Sequence, residues 1–327
     1  MSEQIAQAVE ILNRGGLVAF PTETVYGLGA DARNRSAVDR IFFAKGRPST
    51  NPLIVHVADK TVARQYARDW PGLADKLADA FWPGPLTLVV QKTDAIVSTV
   101  TAGRSTVGLR VPAHPVALEL LQAFGGPIAA PSANRSGRVS PTTAAHVLSE
   151  LGDRVDLILD GGRSEVGIES TVLDLTTNPP AILRPGGISR QQIEPIVGPV
   201  ELSAHSIDPN DAAPSPGLSL VHYRPSAPMF RFTKDQIPAM TKWCAEHPDT
   251  YAIFLALSSA LKKCVGPRQE LIEMPTDPAK YAQQLYSTLH AADARGAEMI
   301  WLQSPPNEAA WLAVNDRLLR ASSPGKL

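Results

Sequence analysis

The stretch that decides the fold of the first part of the chain is Leu17-Val18-Ala19-Phe20-Pro21-Thr22-Glu23-Thr24-Val25-Tyr26-Gly27-Leu28-Gly29. Its first four residues predict a short buried strand, because a brief apolar run that ends at a proline is typical of a strand. Hydroxyl-bearing and small residues follow, at the place where open α/β sheets bind ligands. An ordinary turn has the same composition, so this stretch alone leaves a turn and a binding site as equal alternatives.

Helices and strands alternate irregularly around this stretch, which predicts an α/β sheet of mixed direction. Apolar spacing predicts a first helix over residues 3–12. Ser36 is expected to cap a helix over residues 37–45, and Ser140 a helix that begins at Pro141 and ends at Leu151. Further strands are predicted at residues 53–57, 86–90, 107–111, 128–130, 157–159, 171–175 and 181–183.

Length and charge bound the class of protein. The chain has 327 residues, 44% of them hydrophobic, which predicts two domains and excludes wholesale disorder. Thirty-one Lys and Arg against 32 Asp and Glu give a net charge of −1, which argues against a dedicated nucleic-acid or membrane-surface protein. The two cysteines have no metal-ligand spacing, and no signal peptide or spanning segment is apparent. We therefore expect a soluble cytoplasmic protein without a protein-held metal.

A proline-rich segment separates two parts of the chain. Residues 191–223 contain no Lys or Arg and five prolines, which indicates a stiff, extended linker. We predict a first domain over residues 1–198, a linker over 199–224 and a second domain over 225–327. The second domain shows a β-α-β-α-β-α order, which predicts a small Rossmann-like sheet, and it lacks the glycine fingerprint of a dinucleotide site.

Several cations lie in or beside predicted strands of the first domain. Lys45 and Arg47 flank Gly46, and together they could form a phosphate clamp. Alternatively, Lys45 complements the dipole of its helix and Arg47 is solvated. Arg110, within an apolar strand, either pairs with an internal acid or faces a cavity that accepts an anion. His56, in another apolar strand, is either structural or a ligand contact. No nucleophile–base pair is evident, which favours a site that binds and orients an anionic ligand.

Four motifs, in this order along the chain, resemble those of the YrdC-like family of threonylcarbamoyl-adenylate synthases. They are Pro21–Gly29, Lys45-Gly46-Arg47, Ser132-Ala133-Asn134 and Glu169-Ser170-Thr171-Val172. The resemblance spans about residues 5–195, and Ser215-Pro216-Gly217 with His222-Tyr223 resembles the linker of the longer, two-domain form. It implies a twisted open mixed sheet around a positively charged cavity, with a smaller Rossmann-like C-terminal domain.

The resemblance implies an activity. Enzymes of this family convert L-threonine, bicarbonate or CO2, and ATP into threonylcarbamoyl-adenylate, pyrophosphate and water. Mg²⁺ would accompany ATP, held mainly by the phosphates. The product would pass to a separate transferase complex that modifies an adenosine beside the tRNA anticodon, and direct tRNA binding by this chain stays open.

The family's residue roles carry over by motif. Catalysis is assigned to Lys45, Arg47 and Asn134. Threonine binding is assigned to Thr24, His56, Arg110, Ser132 and Ser170. ATP binding is assigned to Arg47, Asn51, Thr106, Ala130, Ser140, Arg184 and Tyr223, with Tyr223 acting as part of a lid. Family linkers often carry basic residues before the His-Tyr pair, whereas residues 218–221 here are neutral and Arg224 follows the pair.

Two other functions compete with this one. An RNA-binding module with a basic cleft is disfavoured by the net charge and by the lack of interleaved aromatic and basic residues. A carbamoyl-transfer domain, like the related module of hydrogenase-maturation proteins, would be accompanied by zinc-finger and acylphosphatase segments that these 327 residues do not contain.

Overall fold

A computed structural model describes residues 2–203 and 222–325. The chain divides into two compact units, residues 1–136 with 140–220 and residues 137–139 with 221–327. Most of the predicted linker, including the Ser215-Pro216-Gly217 motif and the neutral residues 218–221, lies outside the described residues. The two residues 201–202, inside the predicted linker range, form a strand of the first unit's sheet.

The first unit is built on a ten-stranded sheet with seven helices among its described residues. Its strands are β1 Val18–Phe20, β2 Gly27–Asp31, β3 Ile54–His56, β4 Leu86–Gln91, β5 Thr106–Arg110, β6 Ile128–Ala129, β7 Leu157–Ile158, β8 Thr171–Asp174, β9 Ala181–Arg184 and β10 Glu201–Leu202. Its helices are α1 Glu3–Asn13, α2 Arg35–Lys45, α3 Lys60–Tyr66, α4 Gly72–Phe81, α5 Pro115–Phe124, α6 Ala144–Leu151 and α7 Arg190–Val197.

The strand order β10-β9-β8-β4-β5-β3-β6-β2-β1-β7 confirms the predicted mixed sheet. Parallel pairs such as β3–β5 and β4–β8 alternate with antiparallel pairs such as β4–β5 and β3–β6. The β3–β5 register sets His56 opposite Arg110, 54 positions along the chain. Two candidate residues that sequence alone could not relate are therefore cross-strand neighbours.

The helices of the first unit pack apolar faces on the sheet. On α1, the predicted helical spacing is confirmed, since Ile5, Ala8 and Leu12 are buried and pack with Leu120 and Leu121 of α5. Packing of this amphipathic kind, rather than intrinsic propensity, supplies most of a short helix's stability.

Two predicted helix caps are wrong. Asn34, not Ser36, caps α2: its Oδ1 accepts from the Ala37 amide at 3.2 Å, and the Ser36 hydroxyl donates to that same oxygen. Thr143, not Ser140, caps α6, which begins at Ala144. In both cases several neighbouring residues could accept the orphan N–H groups, and the geometry of the chain entering the helix selects one.

The second unit carries a five-stranded sheet in the order β13-β12-β14-β11-β15. Its strands are β11 Met229–Phe232, β12 Ala252–Ala256, β13 Gln269–Glu273, β14 Met299–Gln303 and β15 Ser323–Pro324, and its helices are α8 Ile237–Glu246, α9 Pro278–Ala294 and α10 Leu312–Ala321. Every strand pair is parallel, which confirms the Rossmann-like prediction. Across the described residues, no helix has both the length and the apolar character needed to cross a membrane.

Candidate active site

Arg110, at the end of β5, is buried and paired with an internal acid. Its Nη2 donates to Glu23 Oε1 at 2.7 Å and to Thr24 Oγ1 at 3.0 Å, and its Nε donates to the carbonyl of Gly84 at 3.2 Å. Nη1 has no hydrogen-bond partner among the described residues. Of the two alternatives left open by the sequence, the internal acid is therefore present, and two N–H groups remain for a ligand.

The turn after β1 presents Thr24 to this guanidinium. Thr22 donates its hydroxyl proton to the Val25 carbonyl at 2.6 Å and accepts from the backbone amides of Thr24 and Val25. The two threonine hydroxyls lie 2.8 Å apart. Such side-chain to backbone bonds fix a turn without regular secondary structure, so the hydroxyl of Thr24 is held in place.

His56 lies opposite Arg110 on β3 and is buried. Burial, reinforced by the positive charge of Arg110, lowers the pKa of His56 well below its ordinary value of 6.5. The imidazole is therefore neutral near pH 7 and can both donate and accept a hydrogen bond. Its ring also meets Phe20 edge-on, with centroids 5.9 Å apart.

Lys45 links two of the motifs. It is the last residue of α2, which ends at Gly46 in the left-handed conformation (φ +59°). Its Nζ donates to the carbonyl of Ser132 at 2.5 Å and to that of Asn134. The Ser136 amide donates back to the Lys45 carbonyl at 2.8 Å. Burial, helped by the nearby Arg47, lowers the pKa of Lys45 well below 10.5.

Arg47 and Asn51 lie on the loop between α2 and β3. The Arg47 guanidinium donates to the carbonyls of Asn51 (3.3 Å) and Pro52 (3.0 Å), which curls the loop around the side chain. Arg47 is mostly buried, at 9% exposure, and Asn51 is half-buried. A buried cation bound by neutral carbonyls keeps its charge, and such a charge attracts phosphate.

Ser170 is held between Thr87 and Arg184. Its hydroxyl lies 2.8 Å from Thr87 Oγ1 and accepts from Arg184 Nη2 at 3.1 Å. Its carbonyl accepts from Arg184 Nε and Nη2 at 3.1 and 3.0 Å. All three side chains are buried. The β4–β8–β9 order brings them together, and sequence reasoning missed Thr87 because it lies in an apolar strand outside any motif.

The segment after Arg184 passes against the Glu169–Thr171 backbone without space for a side chain. A Cβ at Gly186 would lie 2.3 Å from the Thr171 amide nitrogen and 2.5 Å from the Glu169 carbonyl oxygen. No real Cβ shows such distances to backbone, so glycine is required here. This close approach keeps Arg184 beside Ser170.

Ser140 serves this region rather than a helix terminus. Its hydroxyl donates to Glu169 Oε1 at 2.6 Å, and both residues are buried. The Glu169 carboxylate lies one residue before Ser170 in the chain. The bond therefore ties the loop after the Ser132–Asn134 motif to the start of β8.

The remaining candidates of the first unit are Thr106, Ala130 and Asn134. Thr106, half-buried, begins β5 and lines a small cleft of about 20 Å³ together with Pro52, Gly108 and Arg104. The amide of Ala130, directly after β6, donates to the Ile54 carbonyl at 2.9 Å. Asn134 is buried, and its Nδ2 donates to the Arg135 carbonyl at 3.0 Å.

Tyr223 belongs to the second unit. It is buried, with φ +63°, and its ring stacks on Tyr286 at 5.7 Å between centroids and lies under the Arg317 guanidinium at 5.4 Å. Nothing in these contacts tests its assignment to ATP, which stays a prediction.

Eight of the candidate residues of the first unit therefore fall into three groups. One joins Thr24, Arg110 and the facing His56; a second joins Lys45, Ser132 and Asn134; a third joins Ser170 and Arg184. Glu23, Thr87 and Glu169 are the contacts that role assignment by motif left out. Glu23 and Glu169 stand inside the quoted motifs, and the buried Arg110 was the available signal that an acid lies nearby.

Comparison with known proteins relates both units to one kind of enzyme. A family model described as "Telomere recombination" matches residues 10–186, and one described as "Threonylcarbamoyl-AMP synthase, C-terminal domain" matches residues 188–323. A threonylcarbamoyl-AMP synthase of Bacillus subtilis is 41% identical, over 98% of this chain and 93% of that protein. The chain belongs to the threonylcarbamoyl-AMP synthase family. Members of this family make an adenylate, so the chain is an enzyme of the nucleotidyl-transfer type.

The family's archaeal members support the same assignment. A threonylcarbamoyl-AMP synthase of Pyrococcus abyssi is 38% identical, over 98% of this chain and 94% of that protein. The crystal structure of Pyrococcus abyssi Sua5 complexed with L-threonine is similar to this fold, with a TM-score of 0.89, 38% identity, and coverage of 97% of this chain and 94% of that one. The mixed sheet of the first unit and the Rossmann-like sheet of the second, both predicted from the resemblance, are thereby confirmed. The positive charge of the cavity stays a prediction.

Proposed function

We propose that this enzyme of the threonylcarbamoyl-AMP synthase family converts L-threonine, bicarbonate or CO2, and ATP into threonylcarbamoyl-adenylate, pyrophosphate and water. The observation that carries the proposal is Arg110: a buried guanidinium whose Nε and Nη2 are bound within the protein while Nη1 has no partner among the described residues. A carboxylate is the ligand best recognised by a guanidinium that still has N–H donors available. A family relative whose crystal structure contains L-threonine supports an amino-acid carboxylate as that ligand.

The proposed threonine site combines this cation with neutral polar groups. The carboxylate of threonine would accept from Arg110 Nη1. Neutral His56 and the hydroxyls of Thr24, Ser132 and Ser170 would then meet the amine and side-chain hydroxyl. A neutral imidazole suits this role, because it can accept a hydrogen bond from a substrate N–H or O–H group and carries no charge that would repel an ammonium group.

The proposed chemistry needs alignment more than proton transfer. Bicarbonate takes up one proton and loses water to give CO2. The neutral threonine amine attacks the CO2 carbon to form the C–N bond of a carbamate and releases one proton, which balances the proton taken up by bicarbonate. A carbamate oxygen then attacks the α-phosphorus, and the bond to the β-phosphate oxygen breaks to release pyrophosphate. Positioning and charge stabilisation supply most of the rate enhancement in such phosphoryl transfers.

The proposed ATP site uses the cations of the other groups. Arg47 and Arg184 would stabilise the phosphate charge, with Asn51, Thr106, Ser140 and the Ala130 backbone fixing the nucleotide. Lys45 and Asn134 complete the assigned catalytic set. Because the Lys45 ammonium binds the Ser132 and Asn134 carbonyls, its contribution would be to hold that loop against the substrates.

Magnesium enters the proposal only with the nucleotide. Among the described residues, no group of three or more His, Cys, Asp or Glu side chains is arranged to hold a metal ion. The nearby carboxylates of Glu23 and Glu169 are bound to Arg110 and Ser140. We therefore derive no step through the ion, and that phosphates supply most of its ligands stays a prediction.

The product's fate is part of the proposal. An adenylate of a carbamoylated amino acid is an activated acyl donor, so a transferase must consume it. We propose that this transferase is the complex that forms threonylcarbamoyladenosine beside the tRNA anticodon, with this chain acting in the cytoplasm.

The function is tested by pyrophosphate release. Purified protein is incubated with threonine, bicarbonate and Mg-ATP, and with the same mixture lacking threonine. We expect release that depends on threonine and on bicarbonate. Equal release in both mixtures would contradict the proposal, and a salt-dependent shift of RNA without ATP turnover would favour an RNA-binding role instead.

A further inference from the structure

We propose that Glu23 is a positioning residue for threonine: it fixes the Arg110 guanidinium so that Nη1 faces the substrate carboxylate. The inference rests on the proposed function and deepens it, since it concerns how the threonine site selects its ligand. Glu23 stands inside the Pro21–Gly29 motif, where no role was assigned to it.

The hydrogen bonds of Arg110 leave one nitrogen for a ligand. A guanidinium has five N–H donors in one plane. Nε–H binds the Gly84 carbonyl, and the two hydrogens of Nη2 bind Glu23 Oε1 and Thr24 Oγ1. The three bonds fix the plane and its rotation, so both Nη1 hydrogens have a set direction before any substrate arrives.

Glu23 is itself held rigidly. Its second oxygen, Oε2, accepts from the Ala113 amide at 3.0 Å, and its backbone carbonyl accepts from the Val166 amide at 2.7 Å. The side chain is 8% exposed and that of Arg110 is 4% exposed. A buried carboxylate requires such partners, and once it has them it is a fixed anchor rather than a mobile counter-ion.

Charge balance explains why an acid stands in a site for a carboxylate ligand. Arg110 and Glu23 cancel, and the facing His56 is neutral. The local site therefore carries no net charge before binding, which matches an amino-acid zwitterion. Without the Glu23 charge, the guanidinium would be free to turn, and an uncompensated cation would also attract phosphate or bicarbonate.

The test compares Glu23→Gln with a matched control. Gln keeps the size and one accepting oxygen but removes the charge. Glu194→Gln is the control, because Glu194 pairs with Arg190 at the same 2.7 Å but at a half-buried position on a helix outside the proposed site. Threonine Kd is measured by calorimetry, and the KM values of threonine and ATP are measured by pyrophosphate release.

We expect Glu23→Gln to raise threonine Kd and KM about tenfold, the scale of one charge-assisted hydrogen bond. ATP KM, and kcat at saturating threonine, should stay within about twofold, and Glu194→Gln should change nothing. Glu23→Asp, which keeps the charge on a shorter side chain, should recover part of the threonine affinity. If Glu23→Gln does not fold, Glu23→Asp decides by the same threonine-specific loss.

Equal loss of threonine and ATP affinity, or no recovery by Asp relative to Gln, would overturn the positioning role. Failure of the proposed function has a different signature. Wild-type protein that binds threonine but releases no pyrophosphate would overturn the function while threonine Kd still tests Glu23. Wild-type protein that does not bind threonine would overturn both.

Discussion

The hydroxyl of Ser140 donates a 2.6 Å hydrogen bond to the carboxylate of Glu169, 29 residues away in the chain. The bond joins the loop after the Ser132–Asn134 motif to the Glu169–Val172 motif through side chains that are both buried. A hydroxyl that looks like a helix cap in the sequence therefore stabilises the site instead, and the cap is supplied three residues later by Thr143.

Ser140→Ala and Thr143→Ala should consequently have different effects. Thr143→Ala removes the cap of α6 and should lower the free energy of unfolding by about 1 kcal/mol, with ATP KM unchanged. Ser140→Ala should raise ATP KM about tenfold, since a bond to a charged group contributes about 1.5–3 kcal/mol. Urea denaturation and steady-state kinetics measure the two effects, and a reversed pattern would restore Ser140 as a cap.

Gly186→Ala should disrupt the site through its backbone. The added Cβ would meet the Thr171 amide and the Glu169 carbonyl at far less than contact distance. We expect a loss of at least about 2 kcal/mol of unfolding free energy, because the backbone must shift. Gly72→Ala is the control, since its Cβ meets nothing within 4 Å. Wild-type stability in Gly186→Ala would show that the Arg184 segment lies elsewhere.

His56→Gln should make the protein less sensitive to acid. The pKa of His56 is lowered in the fold, so below about pH 6.5 the unfolded chain binds a proton that the folded chain resists. The free energy of unfolding is therefore not reduced by His56 above pH 6.5, and it decreases as the pH drops from 6.5 towards the pKa of His56 in the folded protein.

The measurement is the free energy of unfolding between about pH 4.5 and 7.5. The wild-type slope below pH 6.5 should exceed that of His56→Gln by up to about 1.4 kcal/mol per pH unit, the limit for one proton. His247→Gln, at an exposed position, is the control. Identical slopes for wild type and His56→Gln would mean that His56 is readily protonated in the fold.

Lys45→Met should reduce activity more than stability. The substitution removes the bonds to the Ser132 and Asn134 carbonyls, but it also removes a buried charge, and these effects partly offset one another. We expect pyrophosphate release to fall about 100-fold, the scale of lost alignment, while unfolding free energy changes by less than about 2 kcal/mol. Lys76→Met, at an exposed position, is the control. An activity loss accounted for by unfolded protein would argue against a role in holding the loop.

Apolar patterning predicted most strands of both units, because a buried strand needs a run of large apolar residues. It missed β2, whose first three residues are Gly27, Leu28 and Gly29. That strand is buried because a larger neighbour fills its space: a Cβ at Gly29 would lie 2.8 Å from the ring of Phe20. It also missed β13, an edge strand in which Gln269, Glu270 and Glu273 leave only two adjacent apolar residues.

The candidate residues of the site could be predicted from motifs, but their partners could not. Arg110 and Glu23 are 87 residues apart, and only the sheet order makes them neighbours. The same holds for Thr87 and Ser170, 83 residues apart. A buried arginine indicates that an acid or a ligand lies nearby, and the choice between them depends on tertiary structure. Here the fold supplies the acid, Glu23, and Nη1 of Arg110 has no hydrogen-bond partner among the described residues.

The central claim is best tested by following the carbon of bicarbonate into the product. Protein, threonine and Mg-ATP are incubated with ¹³C-bicarbonate, and the adenylates are analysed by mass spectrometry. The proposed reaction predicts threonylcarbamoyl-adenylate that is one mass unit heavier than with unlabelled bicarbonate, and none without threonine. Pyrophosphate release without a labelled threonine-containing adenylate would contradict it.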